Sequence, residues 1–205
     1  CQGMRLEHHP DAQKSRAQYL PLLELAVQEA PQDDRSLHYL GREYLFHQRW
    51  NDCIAALKRH LALPSATWRD ERCASMRYIA RAYGARGNAY EQECYLLRAA
   101  GEAPHLREPW LDLARMYYAR QNWPGVAYAC ERALQIADRP RTYMTEPESF
   151  GALPWDLLSI ACYQLEQYSR AAQAAREALR LAPQDARIAE NVRLMEEKAG
   201  CGAEE

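Results

Sequence analysis

With 205 residues, the chain accommodates one compact domain or one short array of structural repeats. Hydrophobic residues make up 48% of it and only 9 residues are Gly, so the composition excludes a largely disordered polymer. The net charge of −2, with no broad basic field along the chain, argues against a nucleic-acid partner. No apolar run approaches the ~18 residues of a membrane-spanning helix, so no membrane span is predicted.

Arginine supplies almost all of the positive charge. Of the 26 cationic residues only Lys14, Lys58 and Lys198 are lysines, which leaves 23 arginines. Two explanations remain open at the level of composition. One is a GC-rich coding sequence, and the other is recognition of anions, because the guanidinium fork binds carboxylates and phosphates.

The seven cysteines are scattered along the chain, and no C-x2-C pair occurs. Cys53, Cys130 and Cys162 fall where small or ring residues belong in a helical pattern, and buried reduced thiols behave as small hydrophobes. We therefore predict no disulfide framework, no metal site and no cofactor. The same cysteine usage predicts a reducing, cytoplasmic location.

The chain opens with a polar segment, residues 1–15, which is predicted to be a linker or lead-in to a helical domain over 16–199. A first helix follows and ends at Pro31. Its apolar face has helical i, i+3, i+4, i+7, i+8 spacing: Tyr19, Leu22, Leu23, Ala26 and Val27.

Four later stretches repeat one pattern, in which a bulky residue, an aliphatic residue, a small residue and a ring or thiol follow at fixed spacing. They are Leu37-x2-Leu40-Gly41-x2-Tyr44, Met76-x2-Ile79-Ala80-x2-Tyr83, Trp110-x2-Leu113-Ala114-x2-Tyr117 and Trp155-x2-Leu158-Ser159-x2-Cys162. Each stretch opens a predicted pair of helices. The predicted repeats cover about 34–63, 68–104, 108–137 and 155–183, and 34 residues separate Ala80 from Ala114.

The segment 138–154, called the insertion below, interrupts the array. It contains three prolines and lacks helical periodicity, so it is predicted to be a loop on one face of the repeats. A final helix over about 185–198 carries Ile188, Val192 and Met195 on one face and charges on the other. It is predicted to cap the array, because terminal repeats need a polar outer face. Residues 200–205 are predicted to be a flexible tail.

The repeated pattern and its 34-residue step resemble the tetratricopeptide repeat (TPR). The resemblance implies an all-α fold, namely a TPR-like α-solenoid of antiparallel helix pairs with a C-terminal capping helix. Such a solenoid ordinarily binds or spaces other proteins, so function is expected on a surface.

A narrower resemblance covers roughly residues 8–135. Its strings are His8-His9-Pro10-Asp11, Lys14-Ser15-Arg16, Pro31-x2-Asp34-Arg35, Tyr39-Leu40-Gly41-Arg42-Glu43-Tyr44, Trp68-x2-Glu71-Arg72 and Arg107-Glu108-Pro109-Trp110. Their order is similar to the TPR-like region that follows the catalytic domain in some bacterial family 2 glycosyltransferases. The resemblance implies an accessory role beside an N-terminal nucleotide-sugar-binding domain. The Asp-x-Asp metal motif of such enzymes is missing from this chain.

The chain is predicted to be non-catalytic. It has no Gly-rich phosphate loop, no G-x-S-x-G and no H-E-x-x-H. The local cluster His8-His9-Pro10-Asp11 has no second ligand pair nearby, so it is interpreted as a surface linker and not as a metal site.

The candidate binding residues lie on the first helices of the repeats, which line the concave face of a TPR-like solenoid. Arg42, Arg81 and Arg115 occupy equivalent positions in three consecutive repeats. The same face is predicted to carry Arg35, His38, Arg77 and Tyr118. Stacked arginines repel one another unless anions lie between them. The groove is therefore predicted to bind an acidic protein or peptide, and the alternative left open is internal pairing with Glu43, Glu71 or Glu108.

Two functions are compatible with the sequence. The first is an accessory C-terminal module of a bacterial glycosyltransferase that binds a protein or the acceptor. The alternative is a free-standing TPR scaffold that binds an acidic peptide. An α/β region with Asp-x-Asp encoded upstream of Cys1 would favour the first.

Overall fold

The computed structural model describes residues 18–201, which contain ten α-helices and a short 3-10 helix joined by turns and irregular segments. The α-helices are α1 Tyr19–Glu29, α2 Asp34–Phe46, α3 Trp50–Ala62, α4 Arg69–Ala85, α5 Ala89–Glu102, α6 Glu108–Ala119, α7 Trp123–Leu134, α8 Leu153–Gln164, α9 Tyr168–Leu181 and α10 Ala186–Cys201. The 3-10 helix is Pro147–Phe150. No β-strand occurs among the described residues, so the predicted all-α class is confirmed.

Consecutive helices pack as pairs, α2 with α3, α4 with α5, α6 with α7 and α8 with α9. The first helix, α1, packs on α2, and α10 packs on α9 at the other end. The first helices of successive pairs also contact one another, α2 with α4, α4 with α6 and α6 with α8. These first helices therefore form one row of the stack, called the inner row below.

The turn within each pair follows one backbone pattern. Its central residue has a positive φ in all four pairs: Gln48 (57°), Gly87 (74°), Gln121 (55°) and Glu166 (59°). The N–H of the next residue donates, at 2.8–3.0 Å, to the carbonyl of the ring or thiol residue that ends the repeated motif: Arg49 to Tyr44, Asn88 to Tyr83, Asn122 to Tyr117 and Gln167 to Cys162. This is the Schellman arrangement for ending a helix. The last motif residue thus marks the helix end as well as the core.

The small residue of each motif is buried, and at Gly41 the paired helices α2 and α3 approach each other closely. Gly41, Ala80, Ala114 and Ser159 are all buried. A Cβ added to Gly41 would lie 2.3 Å from Leu57 Cγ on α3, a separation that non-bonded carbon atoms do not adopt. Glycine is therefore retained in the middle of α2 despite its low helix propensity.

The main apolar core runs without interruption from α3 to α10, and a smaller cluster of Val27, Leu37 and Leu40 holds α1 on α2. Four cysteines are buried in the main core as free thiols: Cys53, Cys73, Cys130 and Cys162. Burial raises the pKa of Cys53, Cys73 and Cys130 to about 12, so these thiols remain protonated at neutral pH.

The insertion lies along the inner row, against α4 and α6. It contains the 3-10 helix, and α8 begins at Leu153, two residues before the predicted start of the fourth repeat. At the C-terminal end, Gly200 and Cys201 are the last residues of α10. The predicted lead-in 1–15 and residues 202–205 of the predicted tail lie outside the described residues.

Candidate functional site

A buried ionic network forms where the insertion crosses α4 and α6. Arg77, on α4, has a side chain that is only 4% exposed. Its Nε donates to Asp112 Oδ2 on α6 at 2.6 Å, and its Nη2 donates to Glu146 Oε1 of the insertion at 2.8 Å. Two carboxylates thus neutralise Arg77 inside the fold, which is what a buried guanidinium requires.

Charge pairing overrides desolvation in this network. Burial alone would lower the pKa of Arg77, but the charges of Asp112 and Glu146 raise it above its ordinary value. Burial alone would raise the pKa of Asp112, but Arg77 and Arg81 hold it below its ordinary value. Both groups are therefore ionised at neutral pH, and removing either one would leave an uncompensated buried charge.

Two further arginines at the edge of the network remain accessible. Arg81, whose side chain is 40% exposed, lies 3.1 Å from Asp112 Oδ1 and 3.5 Å from Glu146 Oε1. Arg115, 39% exposed, lies 2.6 Å from Glu148 Oε1 of the insertion. A groove of about 460 Å3, lined by Arg81, Arg115 and both insertion glutamates, opens between them.

The insertion is also held through its backbone. Arg107 Nη1 donates to the carbonyl of Ser149 at 3.2 Å, and its guanidinium lies 4.3 Å from the ring centroid of Phe150. The backbone N–H of Glu146 donates to Glu108 Oε1 at 3.0 Å. These contacts fix the position from which Glu146 reaches the arginines.

Arg35 and Arg42 form a separate group on α2, around Tyr39. Their Cζ atoms lie 5.8 Å and 4.8 Å from the centroid of the Tyr39 ring, within the range of cation–π attraction. Arg42 Nη2 lies 3.8 Å from Glu43 Oε1, and its side chain is 27% exposed. The arginines predicted to line the groove therefore fall into two groups, one in the first repeat and the other in the second and third repeats.

His38, also predicted to face the groove, is fully buried in a chain of polar side chains. Its Nδ1 lies 2.8 Å from Ser75 Oγ, which lies 3.0 Å from Nδ1 of His60. Nε2 of His60 lies 3.4 Å from Glu71 Oε1, and the Tyr143 hydroxyl of the insertion donates to Glu71 Oε2 at 3.2 Å. A partner on the surface would not contact His38 directly.

His38 and Glu71, at two places in this polar chain, differ in charge at neutral pH. Burial lowers the pKa of His38 to about 4, so it is neutral at pH 7. Burial alone would raise the pKa of Glu71, but its interactions with His60, His38 and Tyr143 lower the pKa below its ordinary value. A neutral imidazole therefore lies close to an ionised carboxylate.

Tyr118 belongs to a different surface. It is 40% exposed, and its ring meets that of Trp123 edge-on, with the centroids 5.5 Å apart. With Ile160, Tyr163 and Arg187 it lines a hollow of about 340 Å3 between α6, α8 and α10. The structure does not bring Tyr118 into the groove between Arg81 and Arg115.

The carboxylates that hold the arginines of the second and third repeats were not identified from the sequence. They are Asp112, Glu146 and Glu148, whereas Glu71 pairs with His60 and Glu108 accepts a hydrogen bond from the insertion backbone. Asp112 could have been identified from the sequence, because it lies three residues before Arg115 on α6, a spacing at which helix side chains are neighbours. The two insertion glutamates could not have been identified in this way, because the insertion lacks helical periodicity.

Some of the arginines have a structural role inside the fold. Arg72 donates to Glu102 Oε1 at 2.8 Å and to the backbone carbonyls of Leu61 and Ala66 at 3.0 Å and 3.1 Å. It thereby ties the connection between the first two repeats to α4 and α5. The cluster His8-His9-Pro10-Asp11, interpreted above as a linker, lies outside the described residues.

No protein-family model matches this chain, and no curated protein matches it either. Its fold is similar to that in the crystal structure of MamA, with a TM-score of 0.64 and 15% identity over 82% of this chain and 89% of that chain. The thermophilic TPR protein TTC0263 of Thermus thermophilus aligns with a TM-score of 0.56 and 18% identity, over 86% of this chain and 88% of that chain.

A chain in the crystal structure of the APC/C hetero-tetramer Cut9-Hcn1 aligns with a TM-score of 0.63 and 14% identity, over 90% of this chain but only 33% of that chain. Together these similarities confirm the predicted TPR-like α-solenoid. Among the described residues, no helix has both the length and the apolar character that crossing a membrane requires.

Proposed function

We propose that this chain is a non-catalytic protein-interaction module whose inner-row groove binds an acidic peptide segment. The observation that carries the proposal is the pairing of Arg81 and Arg115 with carboxylates from the insertion, while about two-fifths of each arginine side chain stays exposed. The groove thus already holds an acidic segment of its own chain. A partner segment with carboxylates at similar spacing would find the same guanidinium groups.

The two insertion glutamates differ in how easily a partner would replace them. The pair between Glu148 and Arg115 joins two side chains that are 49% and 39% exposed, and such surface pairs contribute only ~0–1 kcal/mol. Glu146 also neutralises the buried Arg77. A partner would therefore displace Glu148 first and add its carboxylate beside Arg81, leaving Glu146 in place.

The predicted residues take different roles in this proposal. Arg81 and Arg115 contact the partner, and Arg77 positions Asp112 beneath them. Arg35 and Arg42 extend the positive surface to the first repeat for a longer partner. His38 and Tyr118 have no contact in the groove between Arg81 and Arg115.

The test uses the full chain and a fluorescein-labelled nonapeptide that contains three alternating glutamates, with a glutamine version as the reference peptide. We expect the acidic peptide to bind, and the double variant Arg81→Gln/Arg115→Gln to bind it at least about tenfold more weakly. The control Arg180→Gln/Arg193→Gln removes the same charge from exposed positions on α9 and α10 and should leave binding unchanged. Glu148→Gln should tighten binding, because it removes the internal competitor.

Salt provides an independent readout. Binding should weaken as ionic strength rises, because exposed charge pairs are screened over about 8 Å at physiological salt. Equal affinity for the glutamate and glutamine peptides, or equal losses in the groove and control variants, would rule out acidic recognition. Circular dichroism of each variant separates lost binding from lost folding.

The association with a bacterial glycosyltransferase remains part of the proposal and rests on the sequence strings alone. In it the chain is the accessory C-terminal region of such an enzyme, in the cytoplasm, and its partner is the catalytic domain or the acceptor. Several of these strings also have structural roles here, since Arg72, Arg107 and Glu108 hold loops in place. The gene sequence upstream of Cys1 tests it: an encoded α/β domain with Asp-x-Asp supports the association, and an unrelated domain contradicts it.

A further inference from the structure

A cluster of three potential metal ligands lies between the first and second repeats, away from the groove between Arg81 and Arg115. His38 on α2, His60 on α3 and Glu71 on α4 each offer one ligand atom, and these atoms lie within 4.8 Å of one another. All three residues are buried, at 0%, 0% and 7% exposure. From their geometry we infer that they bind a single zinc ion that joins the first two repeats.

An unpaired ring nitrogen is the first observation that points to a ligand. Nε2 of His38 is buried and has no hydrogen-bond partner among the described residues, and Nε2 of His60 is buried beside Glu71 Oε1, at 3.4 Å. A buried polar atom without a partner destabilises the fold. A metal ion would accept the lone pair of His38 Nε2 and remove this cost.

Ser75 can hold both rings in the tautomer that ligation requires. Its Oγ lies 2.8 Å from Nδ1 of His38 and 3.0 Å from Nδ1 of His60. A hydroxyl oxygen has two acceptor lone pairs, so it can accept both Nδ1–H groups, and in that tautomer, which zinc binding would select, both Nε2 atoms carry lone pairs. Metal-binding histidines are typically held in this way, through the ring nitrogen that does not bind the metal.

Glu71 supplies the anionic ligand. The Tyr143 hydroxyl binds its Oε2, which leaves Oε1 facing Nε2 of His60 at 3.4 Å. Two ligands at about 2.0–2.1 Å from a tetrahedral zinc ion are about 3.3 Å apart, so this pair already has the required separation. The three ligand atoms lie within 4.8 Å of one another, so His38 would move closer to the other two when zinc binds.

The surrounding charges favour a cation. Arg42 lies near His38, but it faces Glu43 at 3.8 Å, and the cluster contains the carboxylate of Glu71. Imidazole is a borderline ligand and carboxylate a hard one; two imidazoles with one carboxylate form a set that zinc binds, whereas calcium and magnesium prefer ligand sets made of oxygen atoms. A water molecule is the expected fourth ligand.

The experiment uses the full chain, stripped with a chelator, dialysed and then loaded with zinc sulfate. We expect one zinc ion per chain by elemental analysis after dialysis, and a rise in Tm of several degrees, because an ion that binds only the folded state stabilises it. Cobalt substitution should give the visible absorption bands of a tetrahedral site with nitrogen and oxygen ligands.

The variants identify the ligands. Glu71→Gln, which is nearly isosteric, and His38→Gln should each abolish stoichiometric zinc and the rise in Tm. Ser75→Ala should weaken zinc binding by about 10–100-fold without removing a ligand. The control His105→Gln alters another histidine–carboxylate pair, His105 with Asp70 at 2.8 Å, and should bind zinc like the wild type.

Two outcomes would overturn the inference. One is substoichiometric zinc in the wild type with no change in Tm. The other is stoichiometric zinc that Glu71→Gln leaves unaffected, which would assign the metal to thiols or to His8-His9. If His38→Gln does not fold, the folded Glu71→Gln variant and the cobalt spectrum decide the result.

Discussion

Two helical glycines of this chain have opposite surroundings, and their substitution should have opposite effects. Gly41 faces Leu57, whose Cγ would lie 2.3 Å from an added Cβ, whereas nothing lies within 4 Å of the same position at Gly101. Gly41→Ala should lower the free energy of unfolding by about 1–3 kcal/mol through overpacking. Gly101→Ala should raise it by up to about 1 kcal/mol, because alanine has the higher helix propensity.

Urea unfolding of the two variants beside the wild type measures both effects. The pair is matched, because each substitution adds one methyl group to a helix. A stability of Gly41→Ala equal to that of the wild type would mean that Leu57 repacks freely and that α2 and α3 do not cross tightly there.

Single residues were predictable where the repeat fixed their environment. Gly41, Ala80, Ala114 and Ser159 recur as the small residue at one place in each motif, and all four are buried. His60 and Ser75 could not be identified in this way. They lie on different helices, and only the packing of α2, α3 and α4 brings them beside His38.

At the scale of elements, the insertion behaves as part of the inner surface and not as a free loop. Asp112→Asn should destabilise the protein by about 3 kcal/mol, because Arg77 would lose one of its two carboxylates in a buried site. Glu148→Gln should cost less than about 1 kcal/mol, because its pair with Arg115 is half exposed.

Thermal unfolding gives the two stabilities, and hydrogen exchange of residues 138–154 reports whether the insertion stays docked. We expect faster exchange in Asp112→Asn and nearly unchanged exchange in Glu148→Gln. Similar effects of the two substitutions would show that the buried and the exposed pairs contribute alike, contrary to this account.

The helices were more predictable than the segments that join them. Periodic apolar residues predicted the helix pairs, and of the four central turn residues only Gly87 is a glycine. Gln48, Gln121 and Glu166 adopt the same left-handed backbone without glycine, so their residue type gave no turn signal. The docking of the insertion was also not predictable, because two of its partners, Arg77 and Glu71, lie 69 and 72 residues earlier in the chain than the residues they contact.

At the scale of the whole molecule, a destabilising substitution should affect mainly the repeat that contains it and the adjacent repeat, because each repeat contacts mainly its neighbours. Ile188 and Met195 fix α10 on the array and are 3% and 4% exposed. Ile188→Ala/Met195→Ala should therefore speed hydrogen exchange in α9 and α10 while leaving α2 and α3 protected. The control Arg193→Ala, at a side chain that is 62% exposed, should change neither region.

Exchange that accelerates equally in all helices of the double variant would mean that the array opens as one cooperative unit.

The fold class could be predicted from the sequence, because the period of the motif is sufficient to identify it. The binding surface could not be predicted in the same way. It depends on the distances between segments that are far apart in the sequence, and the motif period carries no information about those distances. The Arg81–Arg115 groove, filled partly by the chain's own glutamates, is the clearest example.

The insertion also has a consequence for the order in which the chain assembles. Most helix contacts join neighbours in sequence and form early, but Arg77 and Glu146 are 69 residues apart, and Glu71 and Tyr143 are 72 apart. Contacts of such separation form late, because the cost of closing the loop comes before the contact. During synthesis from the N-terminus, α4 to α7 leave the ribosome before the glutamates of the insertion do. For that interval the nascent arginines have no partner from the insertion, and they are open to any acidic chain nearby.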